Sequence, residues 1–187
     1  MKPDLQDSIV LITSSDPGNP RFGTGFVIRQ DNSASYILTC EHVIKDVTGS
    51  GQIMVEGKDA GTEASGAEKG IDLAVLRVEG LADKPVLNSS GSGETGMAFS
   101  TAGFQKYGEK KLSRTLQGKI GELVSLTPDG KERVKAWDLK ITDEDFSLQP
   151  GYSGSPVADE TGRVIGNAPE GHSYVAWDFN PKACSVG

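Results

Sequence analysis

Apolar residues in this chain fall in short runs, often at every second position, and Gly, Asp, Asn or Pro closes nearly every run. A period of two marks a strand with one buried face. It predicts strands at Ser8–Thr13, Gly25–Arg29, Tyr36–Thr39, Gln52–Val55, Leu73–Val78, Met97–Ala102, Leu112–Gly118, Glu122–Leu126, Val134–Ile141, Val157–Ala158, Val164–Gly166 and Tyr174–Asp178. Helical spacing nowhere lasts more than about two turns, and Glu41–Asp46 is the one stretch expected to make a helical turn. Many short strands divided by turn residues mean an all-β chain, either a sandwich or barrels. Pro128-Asp129-Gly130 between two β-type runs reads as a hairpin loop.

Two polar stretches organise the rest. Gly57–Gly70, rich in Gly, Ala, Glu and Lys, is expected to be an exposed loop, and Asn88–Thr95 has the composition of a flexible linker. The linker lies near mid-chain with about six predicted strands on either side. This suggests two similar barrels side by side within one unit spanning residues 1–187: the first over about 6–84, a linker over about 85–95 and the second over about 96–180. No sequence repeat links the halves.

Composition sharpens this picture. Gly makes up 24 of 187 residues, about 13% against an average near 7%, and the absence of a Gly-x-y period leaves tight turns as its use. The 19 basic and 26 acidic residues give a net charge of −7, which repels phosphate backbones and argues against a nucleic-acid partner. No apolar run approaches the roughly 18 residues of a membrane helix, so no membrane partner is expected. Met1–Asp7 has no apolar core of a secretory leader, and Cys40 and Cys184 lie far apart without metal-binding spacing. The expectation is a cytoplasmic protein with two reduced thiols and neither metal nor cofactor.

Three local patterns carry chemistry. Leu38-Thr39-Cys40-Glu41-His42-Val43 ends a β-type run in one of only two histidines. Gly70-Ile71-Asp72-Leu73-Ala74-Val75-Leu76 sets an acid before an apolar strand, and Gln149-Pro150-Gly151-Tyr152-Ser153-Gly154-Ser155-Pro156 sets a serine in a Gly-rich turn. A serine hydroxyl needs an adjacent base, and the base needs a third group to fix its tautomer. Ser153, His42 and Asp72 are the residue types for those roles. Flanking glycines free the turn, so that the N–H groups of Gly151 and Ser153 can converge as an oxyanion hole. The Gly-x-Ser-x-Gly elbow of α/β-hydrolases does not fit, because the fifth residue is Ser155 and no helical pattern follows.

In this order the motifs resemble those of the chymotrypsin/trypsin-like serine peptidases, and most closely their compact bacterial branch, which includes the HtrA (Deg) proteases. Gly23-Thr24-Gly25-Phe26-Val27-Ile28 is similar to the strand before the histidine there, and Gly162-Arg163-Val164-Ile165-Gly166 to the strand after the serine. The resemblance covers about Ser8 to Asp178. It implies two six-stranded antiparallel β-barrels with the active site in the cleft between them. It also implies a serine endopeptidase that cleaves polypeptides through a Ser–His–Asp triad and an acyl-enzyme, with further domains in a longer chain as possible partners. The alternative is a weak or inactive binding module on the same fold, and an esterase using the same serine is a third reading.

The chain also departs from the family pattern. Cys40 and Glu41 replace two small residues before the histidine, Ser155 replaces a glycine, and Tyr152 stands where many secreted members carry the acid that pairs with a cut N-terminus. Activation by N-terminal cleavage is therefore not expected. The resemblance places Ser147 at the base of the substrate pocket, with Asp145 two residues away. It places Pro169-Glu170-Gly171 on the opposite wall and His172 near the rim. Ser147 at the base implies small or apolar residues before the cleaved bond. Trp137 and Trp177, in β-type runs, are expected in the core.

Overall fold

The structure is a computed structural model describing residues 4–49, 51–81, 84–89, 93–126, 134–168 and 175–177. A short helix, α1 (Leu5–Ser8), leads into β1 (Ile9–Ser14), β2 (Phe22–Gln30) and β3 (Ala34–Thr39), followed by helix α2 (Glu41–Thr48). Next come β4 (Ile53–Val55), β5 (Lys58–Ser65), a 3-10 turn at Ala67–Lys69 and β6 (Ala74–Glu79). These six strands close into a barrel in the order β1-β2-β3-β6-β5-β4, with every pairing antiparallel.

The second half holds β7 (Ala98–Tyr107), β8 (Lys110–Leu126), β9 (Val134–Ile141), β10 (Pro156–Ala158), β11 (Val164–Asn167) and β12 (Val175–Trp177). They form one antiparallel sheet in the order β11-β10-β7-β8-β9-β12. Its end strands β11 and β12 touch, so the sheet curls into a barrel-like half. Among the described residues no helix is long and apolar enough to cross a membrane.

β2 is buried on both faces, and this locks the halves together. Side chains alternate along a strand. Val27 therefore points into the closed barrel with Val10, Ile37 and Leu76, while Phe26 points outward into a second cluster with Leu38, Ala102, Ala158 and Val164. That second cluster draws residues from both sheets and fills the space between them. Phe26 is 1% exposed. We expect Phe26→Ala to lower unfolding free energy by about 3–5 kcal/mol, because it opens a cavity where the two halves meet. Chemical denaturation followed by circular dichroism measures this.

Three sequence expectations need correction. Gly57–Gly70 is not simply a loop: Lys58–Ser65 is β5, whose side chains are almost all exposed but whose backbone pairs with β4 and β6 to close the barrel. A strand held by two neighbours through its backbone does not need an apolar face. The runs Leu112–Gly118 and Glu122–Leu126 belong to one long strand, β8, whose register against β9 shifts between Ile120 and Leu123. Such a bulge interrupts the alternation without ending the strand. The helical turn at Glu41–Asp46 extends to Thr48 and buries Val43, Ile44 and Val47. Pro128–Gly130, Cys184 and the side chain of Trp177 lie outside the described residues, while Trp137 packs partly buried against the core of the second sheet.

Candidate active site

His42 is set by the junction of β3 and α2. Cys40 ends the extended segment as the helix N-cap but gives no side-chain cap, so the first-turn N–H groups need an outside acceptor. Asp72 supplies it. Its Oδ1 accepts the His42 backbone N–H at 2.9 Å, while Oδ2 lies 2.6 Å from His42 Nδ1. One carboxylate thus grips both the backbone and the ring of His42. This gives Nδ1 the proton, turns Nε2 into the acceptor and places a negative charge at the helix N-terminus, where the dipole favours it. Asp72 is itself held by the loop before β6, where Gly66 N–H meets Leu73 O at 2.8 Å and Ile71 N–H meets Gly66 O at 3.0 Å.

Ser153 lies across a cavity of about 330 Å³ lined by His42, Gly151 and Ser153 together with Phe22 and Arg21. Asp72 is on the other side of the imidazole. The nucleophile-type turn begins with a Tyr152 N–H bond of 3.1 Å to Gln149 O, with Pro150 second and Gly151 third at φ +107°. Pro then Gly at positive φ is the signature of a type II turn. Gly154, at φ +88°, is required as well, and a Cβ there would also collide with the Thr24 carbonyl oxygen. The N–H groups of Tyr152, Gly154 and Ser155 donate to Gln149, Ala168 and Tyr152 carbonyls, whereas those of Gly151 and Ser153 meet no acceptor among the described residues. Two open amides, that of Gly151 and the serine's own, can stabilise a developing oxyanion.

Residues 23–166 match the family model described as a trypsin-like peptidase domain. The chain belongs to the trypsin-like peptidase family. The serine protease Do-like HtrA of Bacillus subtilis is 24% identical over 153 residues, covering 82% of this chain and 34% of its own length. The Do-like HtrB of the same organism is 26% identical over 183 residues, covering 89% of this chain and 40% of its own. The chain thus spans well under half the length of these relatives. A solved structure of Rv3671c from M. tuberculosis, a serine-to-alanine mutant in an inactive form, shares the fold with a TM-score of 0.74 at 22% identity. That match covers 96% of this chain and 85% of the other.

This trypsin-like domain holds its serine turn without a charge at position 152. Tyr152 is 2% exposed, and its hydroxyl donates to Arg114 O on β8 at 3.1 Å. Burial pushes the phenol up to about 12. Because the unfolded chain releases that proton near pH 10, stability should fall as pH rises through about 10 and level off above about 12. Tyr152→Phe should remove this component, which denaturant midpoints measured from pH 8 to pH 12 would reveal.

Thr24, at the start of the family-like strand β2, has a role that sequence reading missed. Its Oγ1 donates to Gly151 O at 2.6 Å and accepts the Phe104 N–H at 3.0 Å, while its own N–H donates to Ser153 O at 3.0 Å. A first-barrel residue therefore clamps two peptides of the serine turn and ties them to β7. Thr24→Val keeps the volume but strands a buried carbonyl and an amide, which should cost about 1–3 kcal/mol, whereas Thr24→Ser should stay close to wild type. Thermal denaturation of both variants checks this.

The other sequence candidates are placed as follows. Glu41 accepts a bond from Ser65 Oγ at 2.7 Å. Ser147 is exposed, accepts a bond from Gln149 Nε2 at 2.8 Å, and opens with Asp145 onto a separate cavity of about 400 Å³ beside Lys106 and Tyr107. Pro169, Glu170, Gly171 and His172 lie outside the described residues. The fold also gathers donors that the sequence spacing does not suggest. Cys40 Sγ, a His42 ring nitrogen and an Asp72 carboxylate oxygen all lie within 4.8 Å of one another.

Proposed function

We propose that the chain is a serine endopeptidase domain in which Ser153 is the nucleophile, His42 the general base and Asp72 the group that orients it. The observation that carries this reading is the joint placement of three features. Asp72 holds His42 by ring and backbone, and His42 opens on the same cavity as Ser153. The amides of Gly151 and Ser153 meet no acceptor among the described residues.

In this reading Ser153 Oγ attacks the scissile carbonyl as its proton passes to His42 Nε2. The carbonyl oxygen, now negative, is held by the Gly151 and Ser153 N–H groups. His42 then protonates the leaving amine, and a water molecule, deprotonated by His42, hydrolyses the acyl-enzyme. Asp72 orients the ring and stabilises the imidazolium that forms. The substrate is a polypeptide, and segments beyond this domain take part in selecting it, in keeping with the greater length of the relatives. Because the serine turn is anchored by Tyr152 and Thr24, activity needs no prior cleavage of the chain.

Reaction of the untreated chain with a fluorophosphonate, which captures only an activated serine, tests the proposal. The expected result is one adduct, located at Ser153 by peptide mass mapping, together with cleavage of an unfolded protein substrate. A folded chain that neither labels nor cleaves would leave a binding module on the same fold as the better reading. Ester turnover without peptide cleavage would favour an esterase.

A further inference from the structure

We propose that Cys40, His42 and Asp72 form an inhibitory zinc site built into the catalytic pair; its effect on activity rests on the peptidase reading above, but its existence does not. The thiol comes from a position where the family pattern has a small residue. Cys40 is fully buried at the N-cap of α2, two residues before His42. Asn167 Nδ2 contacts its Sγ at 3.3 Å, and Sγ lies 3.4 Å from Ala168 O. These contacts keep the sulfur beneath the His42–Asp72 pair.

A thiolate, an imidazole and a carboxylate are the donors zinc takes in three-ligand sites, with water in the fourth place. The side chains of His42 and Asp72 are 21% and 28% exposed, so the metal and its water have a route in from solvent. The donor atoms already lie within 4.8 Å of one another, and metal–ligand bonds of about 2.0–2.3 Å require the longest separation to close by about an ångström. The outer shell is also suited to a metal thiolate. The Asn167 amide donates toward Sγ, as second-shell groups do at metal sites. Asn167 is 1% exposed, and its Oδ1 has no partner among the described residues.

Binding would release the thiol proton to solvent, and a metal ligated through Nδ1 would take the place of the hydrogen between His42 and Asp72. Ligation through Nε2 occupies the lone pair that Ser153 needs. Ligation through Nδ1 displaces the ring proton to Nε2, which then has no lone pair to offer. Either mode silences the base. Zinc is preferred over calcium or magnesium because the thiolate and imidazole donors are too soft for those ions.

Two measurements test the site. In the first, cobalt(II) is added as a spectroscopic stand-in for zinc to a Ser153→Ala, Cys184→Ser chain. The expected result is a thiolate-to-cobalt charge-transfer band that disappears in Cys40→Ala and in the nearly isosteric Cys40→Ser. Absence of the band, or its persistence in both Cys40 variants, overturns the proposal. In the second, micromolar zinc should slow fluorophosphonate labelling of the unmodified chain at least about tenfold and a chelator should restore it. Cys40→Ala should label normally without zinc and need at least about tenfold more zinc for the same inhibition. Equal zinc sensitivity of the two chains overturns the proposal. A chain that never labels, with or without zinc, counts against the peptidase reading alone, and the cobalt spectrum then decides the site.

Discussion

Ser153→Ala is expected to lower peptidase kcat by about 10⁴-fold or more and to abolish fluorophosphonate labelling, with KM for peptide substrates little changed. The size of the effect follows from what the substitution removes. Without Oγ no acyl-enzyme forms, while the amides of Gly151 and Ser153 stay in place, because they belong to a turn fixed by the Gln149–Tyr152 bond and by Thr24. Any residual rate would come from water attacking a carbonyl polarised by those amides. The fold should be untouched, since the Ser153 carbonyl and not its hydroxyl meets Thr24. Single-turnover kinetics with a thermal melt separates these outcomes. A variant that keeps its melting temperature and also keeps cleaving peptides would sink the assignment of Ser153 as nucleophile.

How much of this could be read from the sequence depended on the range of the interactions concerned. β3, β6 and β9 were legible because their apolar positions state their own burial. β5 was not, because it contributes backbone rather than side chains to the barrel and its residues are nearly all exposed. In β8 the shift of register against β9 between Ile120 and Leu123 broke the alternation, so one strand read as two. The same division runs through the site. His42, Asp72 and Ser153 each sit in a local motif, so their residue types and order were visible one motif at a time. Thr24 acts on Gly151 across 127 positions and on Phe104 across 80, and no local pattern announces either contact. Cys40 read as a bland replacement for a small residue because its nearness to Asp72, 32 positions later, arises only when β3 pairs with β6. Ser147, placed by resemblance alone, opens on a different cavity from Ser153, since the short loop before the serine turn carries no periodic pattern to fix its path.

Asp72→Asn should lower kcat by about 10⁴-fold near neutral pH, the magnitude that the family template gives for losing the tautomer-setting carboxylate. The geometry explains why this change is informative. Asn keeps an oxygen that can go on accepting the His42 backbone N–H, now made at 2.9 Å, so the start of α2 stays capped. The other carboxylate oxygen, 2.6 Å from Nδ1, becomes an amide nitrogen that can only donate. Nδ1 must then act as acceptor, the proton moves to Nε2, and His42 can no longer take a proton from Ser153. Asp72→Ala removes both contacts and should add a folding cost of about 1 kcal/mol for the lost helix cap, on top of a similar loss of activity. Comparing thermal melts and kcat for the two variants separates the roles: a shared catalytic defect with a stability defect in Asp72→Ala alone is expected. Full activity in Asp72→Asn would mean that the carboxylate serves the helix and not the imidazole.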